Sequence, residues 1–428
     1  MATPRLLVLD NGLRVVVDEM AVASSALGFF VGSGSRDESL ERAGTSHFLE
    51  HLLFKGTNEL SATQLAEAFD EVGGDCNAFT TKEYTAFYAR LLAEHAPMAL
   101  DILASIIEAP ALRPEDIDTE RAVIAEELAM HGDEPSDRSA ELFSELVFPD
   151  SALGRDTLGT KASIAAMSAS TIRSFFDAHY GPKNIVVGIA GGQDSQVLLS
   201  RLAQLPNRPD ALAPQRKTPA LPSERFSAHR TKTEQVHLTL GWRLPGRDDP
   251  MRTAFAVCNH LLGGGLSSRL FQRIREREAL AYSVWSEREV YEDVGALAIM
   301  AGTSPQHARD VVAICLEEVE RLAEDGPTER EIAIAKGNLR AELLLSAEDS
   351  GARMSFVASE VLFFNRIRTT EEIVDELQSV TMEQVVDAAS LLRRDSACLA
   401  AVGPVRGGAM SDLLLGAEEV SPPSRRRR

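Results

Sequence analysis

Gly44-Thr45-Ser46-His47-Phe48-Leu49-Glu50-His51-Leu52-Leu53-Phe54-Lys55-Gly56-Thr57 is the stretch from which the rest of this sequence is best understood. Two imidazoles stand four positions apart, with a carboxylate just before the second. On a helix, positions i and i+4 share a face and i+3 lies beside them. His47 and His51 can therefore grip one Zn²⁺ while Glu50 points into the same space. The order H-x-x-E-H inverts the H-E-x-x-H zinc motif. With so few histidines, chance predicts only ~0.02 such matches. The flanking residues Phe48, Leu49, Leu52, Leu53 and Phe54 are apolar, so the segment is expected to be largely buried. Burying two histidines and a glutamate costs several kcal/mol unless they are paired or metal-bound.

Zinc needs a third protein ligand and an open fourth position for water. The segment Glu120-Arg121-Ala122-Val123-Ile124-Ala125-Glu126-Glu127-Leu128 is the best source. Helical phase puts Glu120, Val123, Ile124, Glu127 and Leu128 on one inward face and turns Glu126 to solvent. Glu127 is the expected ligand. Glu120, two turns earlier, is placed to orient a histidine from behind. An ion pair of either acid with Arg121 or another base is the competing expectation. Glu50 is expected not to bind the metal but to act as general base toward the attacking water and then to protonate the leaving amine.

The bulk properties agree. The chain has 428 residues, too many for one ordinary core and enough for several domains. Apolar content is 44% and charged content 25%, as in soluble globular proteins. No apolar run reaches the ~18 residues of a membrane span. The first residues read as a strand pair, Arg5–Leu9 and Leu13–Asp18, turning at Asn11-Gly12, not as a signal peptide, so a cytoplasmic protein is expected. Cys76, Cys258, Cys315 and Cys398 are scattered singly and fit a reducing compartment. A formal charge of −20 argues against nucleic acid as a partner and leaves only a weak case for basic peptides.

Residues 205–225 are proline-rich and polar and read as a linker between two halves. The halves resemble each other at a constant offset. Leu27-Gly28-Phe29 answers Leu240-Gly241-Trp242, Ser46-His47 answers Asn259-His260, and Pro114-Glu115 answers Pro327-Thr328-Glu329. Internal duplication is the economical explanation. Strands are expected at Ser25–Val31, Thr85–Leu91, Ile185–Ala190, Val236–Leu240 and Ala296–Ala301. Helices are expected at Ser61–Val72, His95–Ala109, Pro114–His131, Ser168–His179, Pro305–Glu324 and Thr328–Ser346. Clustered strands and paired helices indicate α+β: two duplicated α/β-sandwich-like domains, each a mostly antiparallel sheet covered by helices. The expected boundaries are 1–205 for the zinc domain, 206–225 for the linker, 226–415 for the second domain and 416–428 for a basic tail.

On these motifs the chain resembles the pitrilysin/insulinase family of zinc peptidases, nearest the two-domain branch of processing-type peptidases. The similarity runs from Leu9-Asp10-Asn11-Gly12-Leu13 to about Gly403. Glu120 and Glu127 fit the family's Glu-x₆-Glu spacing, in which the later acid is the ligand. The resemblance implies that Asp75-Cys76-Asn77-Ala78-Phe79-Thr80 lines the cleft and pairs with an extended substrate, Asn77, Ala78 and Phe79 touching it. It also implies that Arg275 binds substrate carbonyls and Tyr282 donates to the developing oxyanion. His237 is a weaker candidate for the cleft. In the second half, Gly263-Gly264-Gly265 replaces the ligands, so one zinc per chain is expected. No Lys-Ser/Thr pair follows that run, which argues against a phosphate loop.

The expected activity is that of a zinc endopeptidase acting on extended peptides or unfolded segments in a closed chamber. The expected assembly is a homodimer in which one chain's zinc half works with its mate's Arg275 and Tyr282. The alternatives are a non-catalytic scaffold subunit, one subunit of a hetero-oligomeric processing peptidase, or a peptide-binding chaperone.

Overall fold

Short runs rich in Val, Ile and Phe, bounded by Gly and Asn turns, build the first sheet. Its strands are β1 (Arg5–Val8), β2 (Arg14–Glu19), β3 (Ser24–Val31), β4 (Asp75–Thr80), β5 (Thr85–Leu92) and β6 (Ile185–Gly191). They lie in the order β1-β2-β6-β3-β5-β4, with only β2 and β6 parallel. A computed structural model provides these coordinates and describes residues 3–211, 214–405, 408 and 410–415. The basic tail expected at 416–428 lies outside the described residues.

The first half of the chain also supplies α1 (Thr45–Leu53), α2 (Ala62–Asp70), α3 (Ala96–Glu108), α4 (Pro114–Asp133), α5 (Pro135–Val147), α6 (Lys161–Ala166), α7 (Ala169–His179) and α8 (Ser195–Leu202). The second sheet comprises β7 (Phe226–Arg230), β8 (Val236–Pro245), β9 (Ala281–Val290), β10 (Val294–Thr303) and β11 (Cys398–Gly403), in the order β7-β11-β8-β10-β9. Only β7 and β11 are parallel. The second half of the chain supplies α9 (Arg252–Gly263), α10 (Ala308–Glu324), α11 (Glu329–Ser346), α12 (Ser350–Phe364), α13 (Thr370–Ser379) and α14 (Met382–Ser390). Without β1, the first order maps strand for strand onto the second, parallel pair included. The fold is thus a duplicated α+β unit, and Leu27-Gly28-Phe29 in β3 and Leu240-Gly241-Trp242 in β8 hold equivalent places.

The compact units do not follow chain order. The first comprises Met1–Met130, Arg155–Lys217 and Glu342–Ile373. The second comprises His131–Gly154, Thr218–Ala341 and the described residues from Val374 onward. Each sheet is therefore covered on one face by a helix from the other half of the chain: α12 lies on β6, β3 and β2, and α5 lies on β11, β8 and β7.

This exchange explains why β3 and β6 are buried almost throughout. One face packs on Leu49, Leu100, Leu103 and Ile107; the other, through Phe30 and Val186, packs on Met354, Val357, Ala358 and Val361. A Cβ at Gly188 would come within 2.8 Å of that of Ala358, so glycine lets α12 approach the sheet. A buried ion pair pins the same helix: Arg353 Nε donates to Asp18, and its Nη1 donates to Thr370 Oγ1 at 2.9 Å.

The proline-rich stretch is tied down where it leaves the first unit. Arg216 makes two 2.9 Å hydrogen bonds to the Asp37 carboxylate and one of 2.8 Å to the Glu83 carbonyl. Arg36 donates to Glu83 Oε1 at 2.6 Å and to the Lys217 carbonyl at 3.2 Å. Among the described residues, no helix is long and apolar enough to cross a membrane.

Candidate metal centre

Helix α1 starts at Gly44, whose φ of +90° is left-handed; a Cβ there would meet the Leu158 carbonyl at 2.6 Å. No side chain on the helix caps it. Glu38 does so from the preceding loop, accepting from the Gly44 and Ser46 N–H groups at 2.6 Å each. Burial pushes the Glu38 carboxyl up to about 7, against the downward pull of those bonds and of Arg155. Phe48, Leu49, Leu52 and Leu53 are fully buried, as their pattern predicts, which turns His47, Glu50 and His51 to the opposite side.

Helix α4 brings the distal acids. Glu120 is 3% exposed and Ile124 fully buried, whereas Glu126 is exposed. One part of the predicted face is corrected: Val123 is 40% exposed. The stripe is narrower than the apolar pattern implies, because α4 packs along Ile117, Glu120 and Ile124 only. Arg121 does not neutralise the acids of the site. It donates to the Ile164 and Met167 carbonyls and pairs with Asp118.

His47 Nε2, His51 Nε2 and a Glu127 carboxylate oxygen converge. The two nitrogens are 3.3 Å apart, and Glu127 Oε2 lies 3.8 Å from His47 Nε2 and 3.5 Å from His51 Nε2. A point about 2.1 Å from all three atoms exists, and that is the bond length zinc makes to imidazole nitrogen and carboxylate oxygen. His51 Nδ1 lies 2.8 Å from Glu120 Oε2. A proton on Nδ1 donated to this carboxylate leaves the Nε2 lone pair facing the cluster. The other Glu120 oxygen is 2.5 Å from Lys55 Nζ. Burial raises the Glu120 carboxyl, but the Lys55 and His51 hydrogen bonds outweigh it, so the group is held below its usual range and ionised. Burial, and next the neighbouring His51, push His47 down to about 4, so its ring is neutral and its lone pair free. The donor set therefore suits a divalent metal.

Glu50 stands beside these donors without joining the triangle. Thr80 Oγ1, on β4, donates to Glu50 Oε2 at 2.6 Å. Burial raises the Glu50 carboxyl, the Thr80 hydrogen bond opposes this, and the net shift is upward.

Strand β4 is the free edge of its sheet. Asn77 Oδ1 accepts the Ala78 N–H at 2.8 Å. Ala78 packs on the α1 side of the sheet. Phe79 faces the other side, its ring 5.6 Å from that of Tyr84 and 6.1 Å from that of Tyr88, so its side chain is not beside Glu50.

In the second unit, Arg275 lies on a wide helical turn, Phe271–Arg277, with its guanidinium 4.7 Å from the ring centre of Tyr282 at the start of β9. Tyr282 is 78% exposed, and β9 is an edge strand. His260 on α9 is the counterpart of His47, while Gly263 and Gly264 stand where Glu50 and His51 do. A Cβ on Gly263 would strike the Ser286 N–H at 2.4 Å, so close packing on β9 explains that glycine. His237 is a half-buried residue of β8, its pKa lowered by burial. Sequence reasoning did not find Glu38, Lys55 or Thr80 as supports of the site. No spacing rule links them to their partners, which lie up to 65 residues away.

Comparisons with known proteins identify a family. Residues 14–161 match the family described as Insulinase (Peptidase family M16), and residues 166–339 match its "Peptidase M16 inactive domain". An uncharacterized zinc protease of Mycobacterium tuberculosis is 40% identical over 408 residues, covering 94% of this chain and 93% of its own. The uncharacterized zinc protease YmxG of Bacillus subtilis is 35% identical over 397 residues, covering 92% and 97%. The crystal structure of a protease from Helicobacter pylori has the same fold, with a TM-score of 0.87 at 21% identity over 94% of this chain and all of that one. With this coverage, and with two imidazoles and a distant carboxylate converging within the part that matches the insulinase model, the chain belongs to peptidase family M16.

Proposed function

We propose that the protein is a zinc endopeptidase that hydrolyses extended peptides or unfolded polypeptide segments. The observation that carries this reading is the triangle of His47, His51 and Glu127 donors with Glu50 held next to it. Bound there, zinc supplies a Lewis acid that acidifies water and polarises a carbonyl. Glu50 takes a proton from the attacking water and returns it to the leaving amine. Glu120 fixes the tautomer and ring orientation of His51. The free edge of β4 offers backbone groups for pairing with an extended chain, through Asn77 and Ala78 with Phe79 adjoining. Such pairing reads main chain more than side chain, which suits unfolded substrates.

Arg275 and Tyr282 complete the reading. Their stacked pair, exposed on the second unit, would bind substrate carbonyls and the developing oxyanion. A homodimer in which each site takes its zinc residues from one chain and this pair from the partner gives each function an intact source. Four unpaired thiols suit a cytoplasmic setting.

The test is metal analysis joined to a peptide-library digest, comparing wild type with Glu50→Gln. One zinc per chain in both proteins, with cleavage only in wild type, supports the reading; equal cleavage by the variant refutes it. For the shared site, Glu50→Gln and Tyr282→Phe chains are mixed under verified subunit exchange. Recovered activity supports composite sites, and none argues against them.

A further inference from the structure

Resting on the peptidase reading, we propose that Thr80 is a positioning residue that couples the peptide-pairing strand to the general base. Its hydroxyl makes the 2.6 Å hydrogen bond to Glu50 Oε2. That bond clamps one oxygen of the carboxylate.

The clamp comes from β4 for a structural reason. Side chains alternate along a strand, so Cys76, Ala78 and Thr80 share one face and Asn77 and Phe79 the other. Cys76 and Ala78 pack toward the core that holds α1, and Phe79 toward Tyr84 and Tyr88. Thr80 therefore ends the α1-facing row, where Glu50 lies. The Ala78 N–H is taken by Asn77 Oδ1, not by β5, so Ala78 presents its backbone on the free edge. Thr80, two residues on, follows the same phase. A peptide that pairs with this edge engages the strand whose last residue aims Glu50.

The experiment uses Thr80→Val, which keeps the shape and removes the hydroxyl, and Thr80→Ser, which restores it. The expected result for Thr80→Val is a kcat about 10–100-fold lower, a KM within about twofold of wild type, and an unchanged zinc content. Thr80→Ser should recover most of kcat. Crystal structures of zinc-loaded Thr80→Val and wild type provide a readout independent of turnover. The Glu50 carboxylate should leave its wild-type position or occupy several rotamers, with His47, His51 and Glu127 unmoved. An unchanged Glu50 in the variant, or a full kcat, overturns the proposal, as does a loss confined to KM. If wild type binds zinc but cleaves no peptide, the peptidase reading fails instead, and the crystallographic comparison alone decides the role of Thr80.

Discussion

Replacing Glu38 with alanine is the sharpest test of how α1 is held. Glu38 is 6% exposed and accepts two buried N–H groups, those of Gly44 and Ser46, at the start of α1. Removing the acceptor leaves both donors unpaired at a cost of about 1–3 kcal/mol each, part of which entering water recovers, so about 2–4 kcal/mol is expected. The penalty depends on pH, and its sign follows from burial. The folded-state pKa is raised to about 7 from the ordinary 4.5, so the folded state holds more protons between those values. Stability contributed by Glu38 is therefore fully present below the lower value and is lost as pH rises through the upper one. At ~1.4 kcal/mol per pH unit, the loss amounts to about 3 kcal/mol.

The assay is urea unfolding of metal-free wild type and Glu38→Ala at about pH 5 and about pH 8, with equal m-values required before midpoints are compared. The alanine penalty should be large at the lower pH and shrink toward zero at the higher. A penalty that grows with pH would refute the reasoning. It would mean that charge-assisted bonding to the helix N-terminus outweighs desolvation. A shift below about 0.5 kcal/mol at both values would show that Glu38 does not hold the helix.

Other substitutions probe the remaining supports. Glu120→Gln should weaken zinc binding by about 10–100-fold in a competitive chelator titration while leaving the fold intact, because it loosens the hydrogen bond that fixes His51. Arg353→Ala strands the buried Asp18 carboxylate and should destabilise the first unit by about 3–5 kcal/mol in chemical denaturation, with backbone amides of α12 exchanging faster than those of β4. Chelation of wild type should lower the thermal midpoint, and added zinc should restore it in proportion to the logarithm of its free concentration.

Much of the site is local in the chain and was legible there. His47, Glu50 and His51 lie within one and a half helical turns, so periodicity alone assigns them a common face. The same rule separates Glu127 from Glu126, and the structure places Glu127 beside the imidazoles and Glu126 in solvent. It fails for Val123, because a phase argument gives a direction but not the width of the packed stripe. The repeat offset forecast two equivalent sheets, and their strand orders match.

What sequence determined by itself was that His47, His51 and Glu127 share a place, and the duplicated plan. These depend on spacings that helix and strand geometry fix within a few residues. Tertiary structure alone decided that α5 and α12 cover the sheets of opposite halves, that Glu38 caps α1, that Lys55 reaches Glu120, and that Thr80 holds Glu50. Those partners are chosen by how apolar faces pack and by which buried polar atoms need a mate, and no periodicity in the chain encodes that choice.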